Sequence, residues 1–298
     1  MDVREEFQEV GLEQPDRDVA VIDGEFRVVG LGHVPAPSSF SRASGTLEPT
    51  VENTTDPGCS SQSGSCYSMT VQASAPFRIN EIFVSVQGEG LHVGERTVFV
   101  RFYGCPLHCV WCDQPEALTH TGVGKFETMT SGQVRDAVLA VPDARRVCLT
   151  GGEPVIAPRE GLLWLIRELR ARGFWISIET SGARVVEELL DVIDFWTVAP
   201  KGRSASTFEG DPVAAQVPSL RRYLELPPDR RQFKFVIQTR EDLEDAVRIL
   251  DALRYEGTVV LQPEHGKGDA RKIFEWWPWS RYPEARLIPQ THKMVGMH

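Results

Sequence analysis

Short runs of β-branched and aromatic residues alternate with amphipathic helical patterns from residue 78 to residue 298. The stretch TSGQVRDAVLAV opens with a capping-box pair, Thr130 and Gln133, and therefore predicts a helix. REGLLWLIRELRARG and REDLEDAVRILDALRYEG also have helical periodicity, and we expect them to stop at Gly173 and Gly257. The runs with the composition of strands are NEIFVSV, TVFVRFY, RRVCLT, FWISIET, DFWTVAP, FKFVIQT, TVVLQP and ARLIPQ.

Strands that alternate with helices predict parallel β-α units and an α/β fold. About six or seven such units are too few for the closed eight-stranded barrel. We therefore predict an open or partial (β/α) barrel formed by residues 78–298.

The first 77 residues have a different composition. They contain twelve acidic residues and four arginines, a net charge of −8 out of −10 for the whole chain. Residues 35–74 are mostly Ser, Thr, Pro, Gly and Ala, which bury too little apolar surface to offset the entropy of ordering. We expect residues 1–77 to be a largely disordered extension, within which residues 19–29 are the one patch that could form a hairpin or dock on the body. Cys59 and Cys66 are interpreted as thiols without a function. A separate hypothesis is that the functional polypeptide begins at Met69.

The amino-acid composition indicates which kinds of partner, such as membranes and nucleic acids, the protein is expected to bind. Apolar residues make up 41% of the chain and charged residues 25%, which is typical of a globular protein. No apolar run approaches the ~20 residues that cross a bilayer, and the acidic N-terminus does not resemble a signal peptide. We expect a cytoplasmic protein that binds neither membrane nor nucleic acid, since nucleic-acid binding favours a basic surface.

Polar and glycine residues follow several of the predicted strands. In parallel α/β folds, ligands bind at the carboxyl ends of the strands. The segments at these ends are GCPLHCVWCDQ (104–114), TGGEP (150–154), ETSG (179–182), APK (199–201) and QP (262–263). We expect them to surround one site.

Three cysteines, Cys105, Cys109 and Cys112, have the spacing C-x3-C-x2-C. A structural zinc site and an electron-transfer 4Fe–4S cluster each use four protein ligands. His108 adjoins Cys109, which makes joint chelation awkward, and Cys148 lies in an apolar strand where a buried hydrophobe is the better interpretation. Three thiolates therefore fit best a 4Fe–4S cluster with one iron open to a small molecule.

The cysteine loop, with Trp111 before its last cysteine, and the GGEP segment resemble the radical S-adenosylmethionine (SAM) superfamily. The resemblance implies a partial barrel of the radical SAM type, in which SAM chelates the open iron and is cleaved by reduction to a 5′-deoxyadenosyl radical. Because glycine lacks Cβ, Gly151 and Gly152 would let the backbone approach the methionine end of SAM. The SAM contacts implied are Trp111, Cys112, Asp113, Gly151, Gly152, Glu153, Ser181, Ala199, Pro200, Lys201 and Gln262.

Within that superfamily, residues 79–298 resemble the 7-carboxy-7-deazaguanine synthase (QueE) family through the QGEG segment at 87–90, Arg101 before the cysteines, and PQTHK at 289–293. The resemblance implies ring contraction of 6-carboxy-5,6,7,8-tetrahydropterin to 7-carboxy-7-deazaguanine with loss of ammonia, in 7-deazapurine biosynthesis. It also implies Mg2+, a homodimer, and a flavodoxin or ferredoxin as electron donor. The substrate contacts implied are Val86, Gln87, Gly88, Glu89, Arg101, Thr150, His292 and His298.

These residue types suit a pterin. The carboxylate of Glu89 and the amide of Gln87 could form hydrogen bonds with the N–H and carbonyl groups along the edge of the pterin. Alternatively, both residues could simply belong to a glycine turn that makes no contact with the substrate. Arg101 could grip the substrate carboxylate in a bidentate pair, or form a structural ion pair. The tail after His292 is expected to fold back so that the carboxylate of His298 reaches the substrate, whereas a frayed terminus is the general default.

Two positions depart from the family pattern. Gln114 replaces the usual threonine, whose hydroxyl reaches Mg2+; a Gln carbonyl could substitute, or the longer side chain could displace the ion, which weakens the expectation of Mg2+. Ala199 replaces a serine, and one lost neutral hydrogen bond would weaken SAM binding by roughly 0.5–1.5 kcal/mol. The alternative functions are another radical SAM activity, such as a glycyl-radical activase, and a non-catalytic metal-binding module.

Overall fold

The structure, a computed structural model, describes residues 76–297 and two short strands at residues 19–22 and 25–28. The predictions for Cys59, Cys66, Met69 and His298 lie outside the described residues, as does most of the predicted extension. Of the two alternatives for residues 19–29, the structure has the hairpin, as the antiparallel pair β1 (Val19–Ile22) and β2 (Glu25–Val28). Strand β2 pairs in turn with β3 (Pro76–Val86) through Arg27 and Phe83.

One mixed sheet organises the described chain. Its strands follow the order β1-β2-β3-β4-β6-β7-β8-β9-β10-β11, and β5 pairs with β3 off this path. Strands β1 to β4 pair antiparallel, whereas β4 and β6 to β11 form a continuous parallel series, which confirms the predicted partial barrel. The bounds are β3 Pro76–Val86, β4 Arg96–Phe102, β5 Glu127–Thr130, β6 Arg146–Gly151, β7 Trp175–Thr180, β8 Phe195–Val198, β9 Arg231–Ile237, β10 Thr258–Pro263 and β11 Arg286–Leu287.

Helices cover the outer face of the sheet. The two capping-box bonds of α1, between Thr130 and Gln133, are both present. Helix α2 buries its apolar stripe, and Gly173 follows it with φ +83°. The third predicted helix, α5, ends at Leu253 rather than next to Gly257. The reason is that the backbone of Arg254 adopts the left-handed conformation and Tyr255 stacks on Phe233. The helices are α1 Ser131–Leu139, α2 Arg159–Ala171, α3 Glu187–Leu190, α4 Pro212–Leu220, α5 Arg240–Leu253, α6 Ala270–Trp276 and α7 Thr291–Met294.

The two faces of the parallel strands differ in chemistry. On β6, Val147 and Leu149 belong to the main hydrophobic core with the helices, whereas Cys148 packs with Phe83 and Phe99 in a separate small cluster. Thr150 faces the same inner side as Cys148, since strand side chains alternate. The inner face is therefore the one that carries polar residues into the interior of the partial barrel.

Within the loop between β3 and β4, residues 87–95, Leu91 and His92 lie at the amino edge of the parallel strands, whereas Glu89 reaches into the cavity. The Leu91 amide donates to Gln232 Oε1 of β9 at 3.0 Å, although four strands separate β3 from β9 in the sheet. That contact requires the sheet to curl into a partial barrel. His92 packs its ring against Trp175 and Phe195, at the starts of β7 and β8, and helps to close the amino end.

Candidate active site

A cavity of about 660 Å³ opens at the carboxyl ends of the parallel strands, and its volume suits a small molecule. It brings together residues that lie far apart in sequence, from the loop after β3 to α7. The predicted SAM-side residues on its wall are Cys105, Cys109, Trp111, Cys112, Asp113, Gly151, Gly152, Ser181, Ala199, Lys201 and Gln262. The predicted substrate-side residues there are Val86, Gln87, Gly88, Glu89, Arg101, Thr150 and His292.

The three loop cysteines are free, half-buried and face this cavity. Burial raises the pKa of Cys105 to about 12 and also raises the pKa values of Cys109 and Cys112. The bare protein therefore holds neutral thiols, and a metal centre must displace their protons when it binds.

The donor set fits the cluster inferred from the sequence. Cys148 is fully buried in the small cluster with Phe83 and Phe99, and it is not part of the cavity wall. Among residues 76–297, no three His, Cys, Asp or Glu side chains are grouped so that they could hold one metal ion. Three thiols spread along one loop suit an iron–sulfur cube with three protein ligands better than a single zinc ion.

The GGEP segment packs against the start of the cysteine loop. The Gly152 amide donates to Phe102 O at 2.9 Å, and the Glu153 amide donates to Gly104 O at 2.8 Å. A Cβ on Gly151 would lie 2.3 Å from Phe102 O, and one on Gly152 would lie 2.1 Å from Gly104 O. Backbone packing therefore requires both glycines, which is a different reason from the close approach of SAM suggested by the sequence.

Glu153 acts on the cavity through a neighbour. Its side chain is fully buried and does not line the cavity. It accepts hydrogen bonds from Thr180 Oγ1 at 2.7 Å and from the Ser181 amide and hydroxyl at 2.9 and 2.5 Å. Burial raises the pKa of Glu153 despite these bonds. The carboxylate thus orients Ser181, which does face the cavity; Pro200 is likewise absent from the cavity wall.

Lys234 on β9 is a cavity residue that the sequence analysis missed. Its ammonium forms an ion pair with Glu89, and the exposed fractions of the two side chains are only 8% and 12%. Burial would raise the pKa of Glu89, but the charge and hydrogen bond of Lys234, together with the hydrogen bond from Gln290, lower that pKa overall. Glu89 also accepts from Gln262 Nε2 at 3.3 Å and from Gln290 Nε2 at 2.6 Å. Glu89 is therefore the ionised centre of a buried hydrogen-bond network, and its side chain does more than belong to a glycine turn.

Glu179 on β7 is the second carboxylate of the inner face. Gln87 Nε2 donates to its Oε1 at 3.1 Å, and Thr150 Oγ1 donates to its Oε2 at 2.9 Å. In the part of the chain that the structure describes, no lysine or arginine lies within ion-pair distance of Glu179. Two neutral donors thus orient the Glu179 side chain, which lines the cavity.

Arg101 lines the cavity from β4. Its Nε donates to Glu81 Oε1 at 2.6 Å, and its guanidinium lies 5.1 Å from the centre of the Phe83 ring. The ion pair of the alternative interpretation is thus present, and it fixes the guanidinium beside the cavity. The substrate role of Arg101 stays a prediction.

The C-terminal segment closes one side of the cavity. The amide and hydroxyl of Thr291 both donate to Gly88 O, at 2.9 and 3.0 Å. His292 packs so closely on Gly88 that a Cβ there would lie 1.8 Å from its Nδ1. Burial lowers the pKa of His292. The tail is therefore folded back as far as Met297, which lines the cavity.

The surroundings of Gln114 do not form an evident magnesium site. Gln114 lines the cavity but offers no hydroxyl or carboxylate. The adjacent Asp113 Oδ2 already accepts from Lys293 Nζ at 2.7 Å and from Gln290 Nε2 at 3.0 Å. Burial would raise the pKa of Asp113, but the hydrogen bond and charge of Lys293 lower it to about 2. Mg2+ prefers several free oxygen ligands, and Gln114 and Asp113 do not supply them.

Comparison with known proteins agrees with the geometry. A partial barrel with a C-x3-C-x2-C loop at its carboxyl end defines the class, and the model of the radical SAM superfamily matches residues 99–198. Membership of this class implies a 4Fe–4S cluster and SAM as cofactors. None of the described helices has the length and apolarity needed to cross a membrane.

Curated relatives resolve the family. A 7-carboxy-7-deazaguanine synthase of Pyrobaculum aerophilum is 34% identical over 234 residues, covering 76% of this chain and 97% of the relative. One from Aquifex aeolicus is 35% identical over 225 residues, 74% of this chain and 93% of the relative. The crystal structure of QueE from Escherichia coli has a TM-score of 0.57 and 26% identity, with 76% of this chain and all of that chain covered. The chain belongs to the 7-carboxy-7-deazaguanine synthase family.

Proposed function

We propose that the protein converts 6-carboxy-5,6,7,8-tetrahydropterin into 7-carboxy-7-deazaguanine with loss of ammonia. The observation that carries this proposal is the convergence of the QGEG loop, Arg101 and the C-terminal segment on the same cavity as three free thiols. The names of the similar proteins support it. The product would feed 7-deazapurine biosynthesis of the queuosine type.

The chain would hold its cofactors at the outer end of this cavity. Cys105, Cys109 and Cys112 would hold the cluster, which together with SAM would supply the radical chemistry for taking hydrogen from the substrate. Lys201 contributes positive charge near the thiols, and its ammonium lies 5.9 Å from the centre of the Trp111 ring. Ser181, oriented by Glu153, offers a hydroxyl to the same region.

The inner end of the cavity matches the charges of a carboxypterin. The pyrimidine edge of a pterin presents N–H donors, for which a carboxylate is a suitable acceptor. Glu179 is better placed for this than Glu89, because the oxygens of Glu89 already accept from Lys234, Gln262 and Gln290. We assign the substrate carboxylate to Arg101, whose planar fork suits bidentate pairing.

Neither alternative function is favoured by a specific observation. An activase that acts on a partner protein would leave the buried Glu89–Lys234 pair unexplained, since that pair lies deep beside a cavity of small-molecule size. A zinc module would leave the spread of the three thiols unexplained. We further propose a cytoplasmic homodimer that receives electrons from a flavodoxin or ferredoxin, on the strength of the family resemblance.

The proposal is tested by anaerobic reconstitution followed by incubation with the carboxytetrahydropterin, SAM and a strong reductant. Mass analysis should detect the deazaguanine acid and one released ammonia per product. Cys109→Ala is the control and should yield none. SAM cleavage without the ring-contracted product would refute the assigned substrate while leaving the radical SAM class intact.

A further inference from the structure

The segment 202–207, which follows β8, contacts the cysteine loop at three points. The Val110 amide donates to Ala205 O at 3.0 Å. The His108 amide donates to Thr207 Oγ1, and Trp111 Nε1 donates to Ser204 Oγ, each at 2.9 Å. These bonds span residues 108–111, between the first and last cysteines, so the position of segment 202–207 sets the position of the loop.

Two acidic residues of α5 hold this segment in turn. Asp245 is fully buried and accepts from the Arg203 amide at 3.1 Å and from Arg203 Nε and Nη2 at 2.9 and 2.5 Å. Asp242 is 1% exposed, and its Oδ1 accepts from the Ser204 amide at 2.8 Å. Its Oδ2 accepts from the Gln238 and Thr239 amides at 3.0 and 2.9 Å and completes the capping box of α5.

The packing of this contact is tight. A Cβ on Gly202 would lie 2.5 Å from Asp242 Oδ1. Segment 202–207 therefore packs directly against the first turn of α5, and no side chain fits at position 202. Helix α5 is itself fixed, because its apolar side belongs to the main core. A rigid path therefore runs from the core through two buried carboxylates to the cysteine loop.

We propose that Asp242 and Asp245 are positioning residues for the cluster-binding loop, acting through segment 202–207. Buried carboxylates with several donors each are well suited to hold such a segment, since their charge strengthens every bond they accept. Hydrogen bonds behind metal ligands typically change metal affinity by 10- to 100-fold. The proposal concerns the hold on the cluster and does not depend on which substrate the enzyme uses.

The first test uses the cluster-free protein. Asp245→Asn and Asp242→Asn should speed amide hydrogen exchange at residues 108–111 by roughly 2- to 12-fold, the range that corresponds to one lost hydrogen bond. Asp269→Asn is the control for the same substitution at another helix start, because Asp269 is the N-cap of α6 and accepts from the Arg271 and Lys272 amides; it is more exposed than Asp242 and Asp245. Unchanged exchange at residues 108–111 in both variants would overturn the proposal.

The second test uses the reconstituted protein and a chelator. Iron release from the Asp245→Asn variant should be on the order of 10- to 100-fold faster than from the wild type, with Asp269→Asn unaffected. If either α5 variant fails to fold, Ser204→Ala removes the bond to Trp111 from the side of segment 202–207 and should show the same effect at an unchanged melting temperature. Wild-type iron release in Ser204→Ala and Asp245→Asn would refute the positioning role.

Discussion

Replacing Lys234 by methionine tests whether the buried pair with Glu89 organises the cavity. Methionine keeps most of the side-chain volume and removes the charge. Glu89 would then remain buried, with only the two amide donors of Gln262 and Gln290. Since both partners of the pair are nearly inaccessible to solvent, the effect should be that of breaking a buried pair rather than a surface one.

The expected magnitude follows from that burial. Removing one partner of a buried ion pair destabilises a protein by about 3–5 kcal/mol. For a domain of this size, each kcal/mol shifts the melting temperature by about 2–4 °C, so a fall of roughly 6–20 °C is expected. The double variant Lys234→Met, Glu89→Gln removes the unpaired charge as well and should recover much of the loss.

The pH dependence provides a second signature. In the wild type the pKa of Glu89 lies below its usual 4.5, so the ion pair stabilises the fold above that value and is lost as the pH falls through the lowered pKa. Without Lys234, burial dominates and raises the pKa of Glu89. The variant then loses further stability as the pH rises through that raised pKa. The gap between variant and wild type should therefore be widest at neutral pH and narrow toward pH of about 5.

Urea unfolding of the cluster-free protein at several pH values measures this gap directly. Two results would refute the reasoning. One is a Lys234→Met variant within about 1 kcal/mol of the wild type at neutral pH, the range of an exposed pair. The other is a double variant whose loss equals the sum of the two single losses, because coupled partners must be non-additive.

Three further experiments separate the roles of individual side chains. Cys109→Ala should abolish cluster binding, as judged by iron content, whereas Cys148→Ala should keep it, because Cys148 is buried away from the cavity; equal iron loss in both would contradict the ligand assignment. Arg101→Ala should spare SAM cleavage and block product formation, and Arg101→Lys should recover little, since lysine lacks the planar fork; full turnover by either variant would argue against a substrate contact. Glu153 has a pKa raised by burial, so wild-type stability should fall relative to Glu153→Gln as the pH rises from about 4.5 through that pKa; a difference in unfolding free energy that is constant with pH would contradict it.

The periodic elements of the fold were predictable because local chemistry fixes them. Thr130 and Gln133 form the expected capping box, and the strand ends that carry polar residues do surround one cavity. The short strand β5 was missed, since ETMT has no strong hydrophobic alternation. It pairs only with the first residues of β3, a long-range contact that sequence alone does not show.

The inner half of the site was less predictable for a physical reason. In the sequence, Lys234 is an ordinary lysine within a predicted strand. Only the curvature of the sheet brings it into contact with Glu89, which lies 145 positions earlier. The alternation of Gln232, Lys234 and Val236 with Phe233 and Phe235 was visible as a signal for a polar inner face. Asp242 gave no signal, because acidic residues are common in the first turn of a helix. Asp245 gave none either, because it lies one turn later among the other charged residues of the same helix.

The most direct test of the central claim is the electron paramagnetic resonance spectrum of the reduced, reconstituted protein with and without SAM, combined with iron and sulfide analysis. Three thiolate ligands and one open iron predict about four irons and four sulfides per chain, and a spectrum that changes when SAM binds the open iron. Two results would contradict the account. One is a cluster whose spectrum does not change when SAM is added, and the other is a protein that takes up zinc in place of iron and sulfide.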